Sequence, residues 1–334
     1  MPIFPNKLVK GDSIAFFSPS SPITANAPRR FQRATQFLLG KGFNLVEGTL
    51  TGKKDFYRSG TITERADELN SLIRNPEVKC IMSTIGGMNS NSLLPYIDYE
   101  QLAKTPKIIV GYSDMTAILL AIYAKIEMVT YYGPALVATF GEFSPYSEMA
   151  FDYLSDILIN QQELPFPLQT PPFWTDEFIP WEEQDRTKVQ NANKMITVNG
   201  GIAKGRLIGG NLNTIHGIWG SPYMPEIKDG DILFIEDSLW GIETIERSFS
   251  LLKISGVFDR VAGIILGKHE LFKDSETGRK PYDVLLEVIR EPKCPILADF
   301  DCSHARPMLT LPIGSEVELD ATHQKVSLIG NWIL

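Results

Sequence analysis

Lys107-Ile-Ile-Val110, Gly111-Tyr112-Ser113-Asp114 and Met115-Thr-Ala-Ile-Leu-Leu-Ala-Ile122 follow one another without a break. The apolar run stops at a glycine, and a run of helix-forming residues starts just past the serine, so the stretch reads as strand, tight turn and helix. A side chain at such a bend stands beside the first unpaired N–H groups of a helix, which can stabilise an oxyanion. Ser113 is therefore a candidate nucleophile for attack on a carbonyl. The competing reading is a plain helix cap by Ser113 or Asp114, since both residue types favour that position. The second glycine of a G-x-S-x-G elbow is missing.

Upstream, strand-like and helix-like segments alternate. Ser13–Phe17 is a short apolar run closed by Ser18-Pro-Ser-Ser-Pro22, and a helical pattern over 29–39 stops at Gly40 and Gly42. Phe43–Val46 reads as a strand. Thr61 and Glu64 have capping-box spacing, and Ala66, Leu69, Leu72 and Ile73 share one helical face until Pro76. Val78–Ile85 is the next strand and ends at Gly86-Gly87. Strands separated by helices predict a parallel, Rossmann-like α/β sheet covered on both faces, with ligands at the carboxyl ends of its strands. Gly86-Gly87 and Ser113 both fall at such ends.

Six prolines, with Trp174 and Trp181, interrupt the stretch between 141 and 199. It is read as a helix over 148–159 followed by a long loop that folds as a lid. From Gly200 the pattern is strand-rich: 202–208, 232–235, 261–266, 296–300 and 317–319, with helices over 213–219, 244–254 and 282–290. The expected organisation is an N-terminal domain over 1–145, a connecting helix and substrate loop over 146–199, and a mixed α/β, strand-rich C-terminal domain over 200–334.

The chain has 334 residues, 43% hydrophobic and 22% charged, enough apolar material for a large core. Its net charge of −8 argues against a general nucleic-acid binder, and no apolar run reaches membrane-span length. The first residues lack the apolar core of a signal peptide. Cys80, Cys294 and Cys302 are odd in number and scattered, as expected for reduced thiols in a cytoplasm.

A serine nucleophile needs a base held by a third polar group. Of four histidines, His304 follows an apolar strand in Asp299-Phe-Asp-Cys-Ser-His304, and His269 follows another strand and is the rival. Glu236 closes Ile232-Leu-Phe-Ile235 and is the carboxylate candidate. Cys302 and His304 also permit a Cys/His pair, or half a metal site with Asp299 or Asp301. Neither C-x-x-C nor H-E-x-x-H spacing completes a metal shell, and Gly86-Gly87 extends to no dinucleotide or P-loop signature, so no metal and no cofactor is expected.

Six ordered segments, Thr84–Asp98, Ile109–Thr116, Tyr132–Ala135, Leu207–Asn213, Phe234–Ser238 and Ile264–His269, together resemble the serine LD-carboxypeptidase family, and within it the microcin C self-immunity branch. The resemblance implies a Ser–Glu–His triad, matched by Ser113, Glu236 and His304, in a two-domain chain that is commonly a homodimer. Backbone N–H groups of Gly87 and Asp114 are the expected oxyanion hole. Gly86, Asn211, Trp181 and Trp174 are the expected substrate-binding positions, with Trp181 the better match to a loop tryptophan that stacks on adenine. The implied reaction is serine-type amide hydrolysis of a peptidyl or aminoacyl adenylate, a small peptidyl-nucleotide substrate. The alternatives are release of D-Ala from murein tetrapeptides, and binding of a small molecule without turnover. Relatives often carry charge after the Asp-Ser step, where this chain has Leu239-Trp240-Gly241.

Overall fold

A computed structural model describes residues 2–160 and 163–334. Met1 of the expected N-terminal domain and Gln161 and Gln162 of the expected connector lie outside the described residues.

The first sheet has six strands in the spatial order Leu311–Ile313, Thr130–Tyr132, Ile108–Gly111, Val78–Ser83, Ser13–Phe17 and Asn44–Glu47. All neighbours pair in parallel except the first two. The interior strands are apolar along nearly their whole length because both faces are covered, and Ile108, Ile109 and Val110 are fully buried. The helices Pro28–Gly40, Ile62–Arg74 and Thr116–Ile126 alternate with these strands. The helix over Ile62–Arg74 starts on the capping box read from Thr61 and Glu64, with both reciprocal hydrogen bonds made. Chain order reverses between Ser13–Phe17 and Val78–Ser83, so the switch point of this doubly wound sheet lies between them.

The second sheet runs Phe166–Pro167, Lys325–Leu328, Glu316–Asp320, Ile202–Asn211, Ile232–Glu236, Gly263–Gly267, Ile296–Phe300 and Ile196–Asn199. Its four central strands are parallel, and the flanking ones antiparallel. The fold is thus mixed α/β, a parallel-sheet N-terminal region with a strand-rich second part. The long strand Ile202–Asn211 exceeds the predicted 202–208 and carries the contact between the two parts. A Cβ on Gly210 would lie 2.6 Å from Thr116 Cγ2, and the Asn211 N–H donates to Thr116 Oγ1 at 3.0 Å. The strand thus approaches the helix behind Ser113 at backbone distance, with Gly210 at φ +146°.

The segment 163–195 carries the edge strand Phe166–Pro167 of the second sheet and two further short strands, Phe173–Trp174 and Asn191–Ala192, paired as a ribbon. Leu311–Ile313, from the far end of the sequence, joins the first sheet beside Thr130–Tyr132. The helix over Tyr146–Leu158 buries Ala150, Phe151, Leu154 and Ile157 on one face.

Candidate active site

Ser113 sits where the strand Ile108–Gly111 gives way to a single turn over Ser113–Met115 and then the helix Thr116–Ile126. Its φ is +61°, a left-handed backbone that a non-glycine residue adopts only where the surroundings impose it. Two groups impose it. A Cβ on Gly86 would lie 2.8 Å from Ser113 Cβ and 2.9 Å from the Asp114 nitrogen, so the Gly86 backbone occupies that space. On the other side the Ser113 N–H donates to the Tyr132 hydroxyl at 3.2 Å.

Neither Ser113 nor Asp114 caps the helix that follows, which starts without a side-chain cap hydrogen bond. The Asp114 carboxylate accepts the N–H groups of Asn89 and Ser90, each at 2.9 Å, and so ties the loop after Gly86-Gly87 to the bend carrying Ser113. Burial raises the Asp114 carboxyl, against the lowering effect of these and the Ser20 and Ser90 hydroxyl hydrogen bonds. Gly87 has φ +145°, and a Cβ there would fall 2.2 Å from Ser20 Oγ. Ser20 Oγ in turn accepts the N–H of Met88 at 3.0 Å. Ser20 follows the first strand and Gly87 the third, so this loop pair spans the switch point.

The second sheet supplies the carboxylate and the imidazole. Glu236 is the last residue of Ile232–Glu236 and lies in register with Asn211. His304 Nδ1 is 2.7 Å from Glu236 Oε2. Glu236 Oε1 accepts from the Tyr132 hydroxyl at 2.5 Å and from Asn211 Nδ2 at 3.0 Å. Burial pushes the Glu236 carboxyl up, but the His304 ring and the three hydrogen bonds outweigh it and hold the group below its ordinary range. Burial likewise lowers His304, and the facing Glu236 charge reverses the sign, leaving the ring above the usual imidazole value. With Glu236 ionised, the proton on the neutral ring resides on Nδ1 and Nε2 is left as an acceptor.

These groups meet around a cavity of about 500 Å³ lined by Gly86, Gly87, Ser113, Asn211, Trp181 and His304 among others. Among the described residues no hydrogen bond joins Ser113 Oγ to the imidazole, although both line this one cavity. Catalytic hydrogen bonds are often long without substrate and tighten on binding.

The other expectations fare differently. His269 is not in the cavity wall; its ring packs against Phe272 at 5.0 Å, and burial drives it down to about 4, which holds it neutral. Cys302 is fully buried and its thiol is raised well above the ordinary value by burial, so a Cys/His nucleophile pair is not formed. Asp301 is 2.7 Å from Lys268 and accepts from Asn193 at 2.9 Å. Among the described residues no cluster of three or more His, Cys, Asp or Glu side chains could hold a metal. Trp181 lines the cavity with the Arg30 guanidinium 4.5 Å from its ring centroid. Trp174 is absent from the described lining; it lies in the two-stranded ribbon with Lys268 Nζ at 5.9 Å from its ring centroid.

Three residues that sequence reasoning left without a role complete the arrangement. Tyr132 bridges Ser113 and Glu236, and the signal was its place in a buried strand, where a hydroxyl must find a partner. Arg306 donates to the His304 carbonyl at 2.8 Å and to the Ala138 carbonyl at 3.0 Å, anchoring the histidine segment on the first part of the chain. Asp237 accepts from Asn211 at 3.2 Å and from the Asn213 N–H at 3.1 Å, and burial with the adjacent Glu236 charge pushes it to about 7.

Comparison with known proteins agrees with this architecture. Residues 14–133 match the LD-carboxypeptidase N-terminal domain and residues 204–319 the LD-carboxypeptidase C-terminal domain. A Vibrio cholerae protein assigned by name to the carboxypeptidases is 55% identical over 331 residues, 99% of each chain. The microcin C7 self-immunity protein MccF of Escherichia coli is 51% identical over 334 residues, 99% of this chain and 97% of that one. The solved structure of MccF in complex with aspartyl sulfamoyl adenosine superposes with a TM-score of 0.98 at 51% identity, covering 100% of both chains. A shorter match, 30% identical over 92 residues, or 27% of this chain and 29% of the other, is to the murein tetrapeptide carboxypeptidase of Pseudomonas aeruginosa. With both of its domains matched and relatives this similar over their full length, the chain belongs to the LD-carboxypeptidase family of serine peptidases.

Proposed function

We propose that Ser113 is the nucleophile, His304 the general base and Glu236 the residue that orients and charges the imidazole. His304 Nε2 takes the Ser113 proton as Oγ attacks an amide carbonyl, and the resulting imidazolium is stabilised by Glu236. The backbone N–H groups of Asp114 and Gly87 receive the oxyanion. His304 then returns the proton to the leaving nitrogen, and water releases the acyl group from Ser113. The observation that carries this reading is the 2.7 Å imidazole–carboxylate contact beside a cavity that Ser113 also lines.

The substrate favoured is an aminoacyl or peptidyl adenylate of the microcin C type, cleaved at the amide that joins the amino acid to the nucleotide. Trp181 in the cavity wall supports it, since an indole offers the flat face on which an adenine stacks. Likeness to MccF bound to aspartyl sulfamoyl adenosine supports it further. The second reading, release of D-Ala from murein tetrapeptides, is favoured by the family itself and by the partial match to the murein enzyme. Comparing aspartyl sulfamoyl adenosine with an L,D-tetrapeptide as substrates separates the two. The triad is tested by Ser113→Ala, expected to lower turnover by about 10⁶-fold with folding retained. Near-normal turnover in that variant overturns the assignment.

A cytoplasmic homodimer is part of the same proposal. Three free, buried cysteines support a reducing compartment, and no helix among the described residues is long and apolar enough to cross a membrane. Sedimentation equilibrium tests the dimer.

A further inference from the structure

Glu236 and Asp237 are neighbours in sequence, and successive residues of a strand point to opposite faces. Here the strand ends at Glu236, and both carboxylates reach one amide. Asn211 Nδ2 donates to Glu236 Oε1 at 3.0 Å and to Asp237 Oδ1 at 3.2 Å. The parallel register that sets Asn211 beside Glu236 brings the amide there. Its orientation is fixed from the other side, where Asn211 Oδ1 accepts the Thr214 N–H at 3.0 Å and the Thr214 hydroxyl at 2.9 Å. Both N–H bonds and both lone pairs of the amide are thus in use.

The ordinary reading of Asp237 is a helix cap, since its Oδ2 accepts the Asn213 N–H at 3.1 Å where the helix Leu212–His216 begins. That helix is already capped by Asn211, and a cap gives no reason for a second carboxylate next to a buried one. Asn211, Glu236 and Asp237 are only 4%, 1% and 3% exposed. Burying two neighbouring carboxylates is costly, because each opposes the ionisation of the other. Burial works against the Glu236 charge, but contact with His304 preserves it, and burial with that charge then pushes Asp237 up to about 7. Burial lowers the His304 ring, and the charges of Glu236, Glu270 and Asp237 raise it. Glu270 is paired with Arg306 at 3.6 Å, whereas Asp237 is in no ion pair among the described residues, and the cation acting on it is the His304 ring.

We propose that Asp237 is a positioning residue: through the Asn211 amide it holds Glu236 against His304, and its charge makes the imidazole a stronger base. The proposal rests on the hydrolase reading above for the role of His304 and adds a second carboxylate behind the triad. As the Ser113 proton moves to His304, the new positive charge is met by two carboxylates instead of one. Protonation of Asp237 weakens that base, so the two groups titrate as a coupled pair.

Asp237→Asn keeps the shape of the side chain and removes its charge. With aspartyl sulfamoyl adenosine as substrate, kcat is expected to fall about tenfold, a fraction of what a general base supplies in full, with KM little changed. The acid limb of the kcat profile is expected to move to lower pH. A limb that stays where it is in the folded variant overturns the proposal. A second measurement uses the unaltered protein. The ring Cε1–H NMR signal of His304, identified by its loss in His304→Gln, is expected to titrate over a wider pH range than one independent proton gives, and to narrow in Asp237→Asn. A curve of single-proton width in the wild type overturns the proposal whether or not Asp237→Asn folds, and so does a width that the variant leaves unchanged. If the wild type hydrolyses neither aspartyl sulfamoyl adenosine nor an L,D-tetrapeptide, the hydrolase reading fails, and the titration alone decides whether Asp237 acts on the ring.

Discussion

At the scale of single residues, the chemistry depends on how Glu236 is held. His304 acts as a base only when neutral, and the Glu236 charge raises its pKa above the ordinary imidazole value. Activity is therefore expected to climb as pH rises through that raised value. In Glu236→Gln the charge that raises the ring is gone, while the burial that lowers it stays. The acid limb of kcat/KM against pH is expected to move to lower pH, and the plateau to fall by roughly 10⁴, as when a triad carboxylate becomes an amide. A limb that stays in place would show that another group sets it. Tyr132→Phe removes the donor to Glu236 Oε1 and the acceptor of the Ser113 N–H together. Leaving buried partners unpaired costs about 1–3 kcal/mol each, so thermal unfolding should begin at lower temperature. The same variant should lower kcat more than it raises KM, because the Ser113 bend loses a support that substrate does not touch.

At the scale of elements, the loop after the strand Val78–Ser83 and the bend at Ser113 are one construction. Asp114 holds two backbone N–H groups of that loop, and Gly86 and Gly87 admit no side chain. Asp114→Ala leaves the Ser90 N–H without its acceptor and the Asn89 N–H with only its longer bond to Ser20 Oγ at 3.2 Å. The expected result is a loss of stability of about 1–3 kcal/mol and a fall in kcat, with KM less affected. Denaturant unfolding and steady-state kinetics read the two effects separately; unaltered kinetics would show that the loop keeps its position without this tether.

Across the whole molecule, one buried carboxylate gathers three regions of the chain. Glu142 lies 3.1 Å from Arg30 of the helix Pro28–Gly40, 3.3 Å from Lys188 of the segment 163–195, and 3.8 Å from Arg306 beside His304. Gln184 donates to Glu142 and accepts from Arg30. Burial works to raise the Glu142 carboxyl, yet the facing cations pull it down to about 2. A carboxyl depressed in the folded state stabilises above its unfolded pKa and loses that contribution as pH falls through the folded value. The melting temperature is therefore expected to drop between about pH 4.5 and pH 2. Glu142→Gln should flatten this dependence and, by leaving buried cations uncompensated, cost about 3–5 kcal/mol at neutral pH. Limited proteolysis between Trp181 and Lys188 should quicken in the same variant. A melting curve in Glu142→Gln with the wild-type pH dependence would place the effect elsewhere.

Much of this was legible in the order of the residues. Apolar runs such as Ile108–Val110 and Ile232–Ile235, short and bounded by turn residues, read as buried strands, and the capping-box spacing at Thr61 reads as a helix start, because hydrophobic pattern and capping are local properties of the chain. The positions of Ser113, Glu236 and His304 at strand ends followed from the same local reading, and the ordered motifs pointed to the family. Local reading could not place His269 behind the cavity wall, separate Trp181 from Trp174, or find that Tyr132 joins Ser113 to Glu236. Nor could it pair Leu311–Ile313 with the first sheet. Each of these depends on residues tens to hundreds of positions apart, whose meeting is set by how two sheets pack and where burial leaves a polar group needing a partner. The sequence determined the elements and the chemical types available; the packing of one sheet against the other decided which of them face the same cavity, because only there do desolvation and contact act on side chains from both.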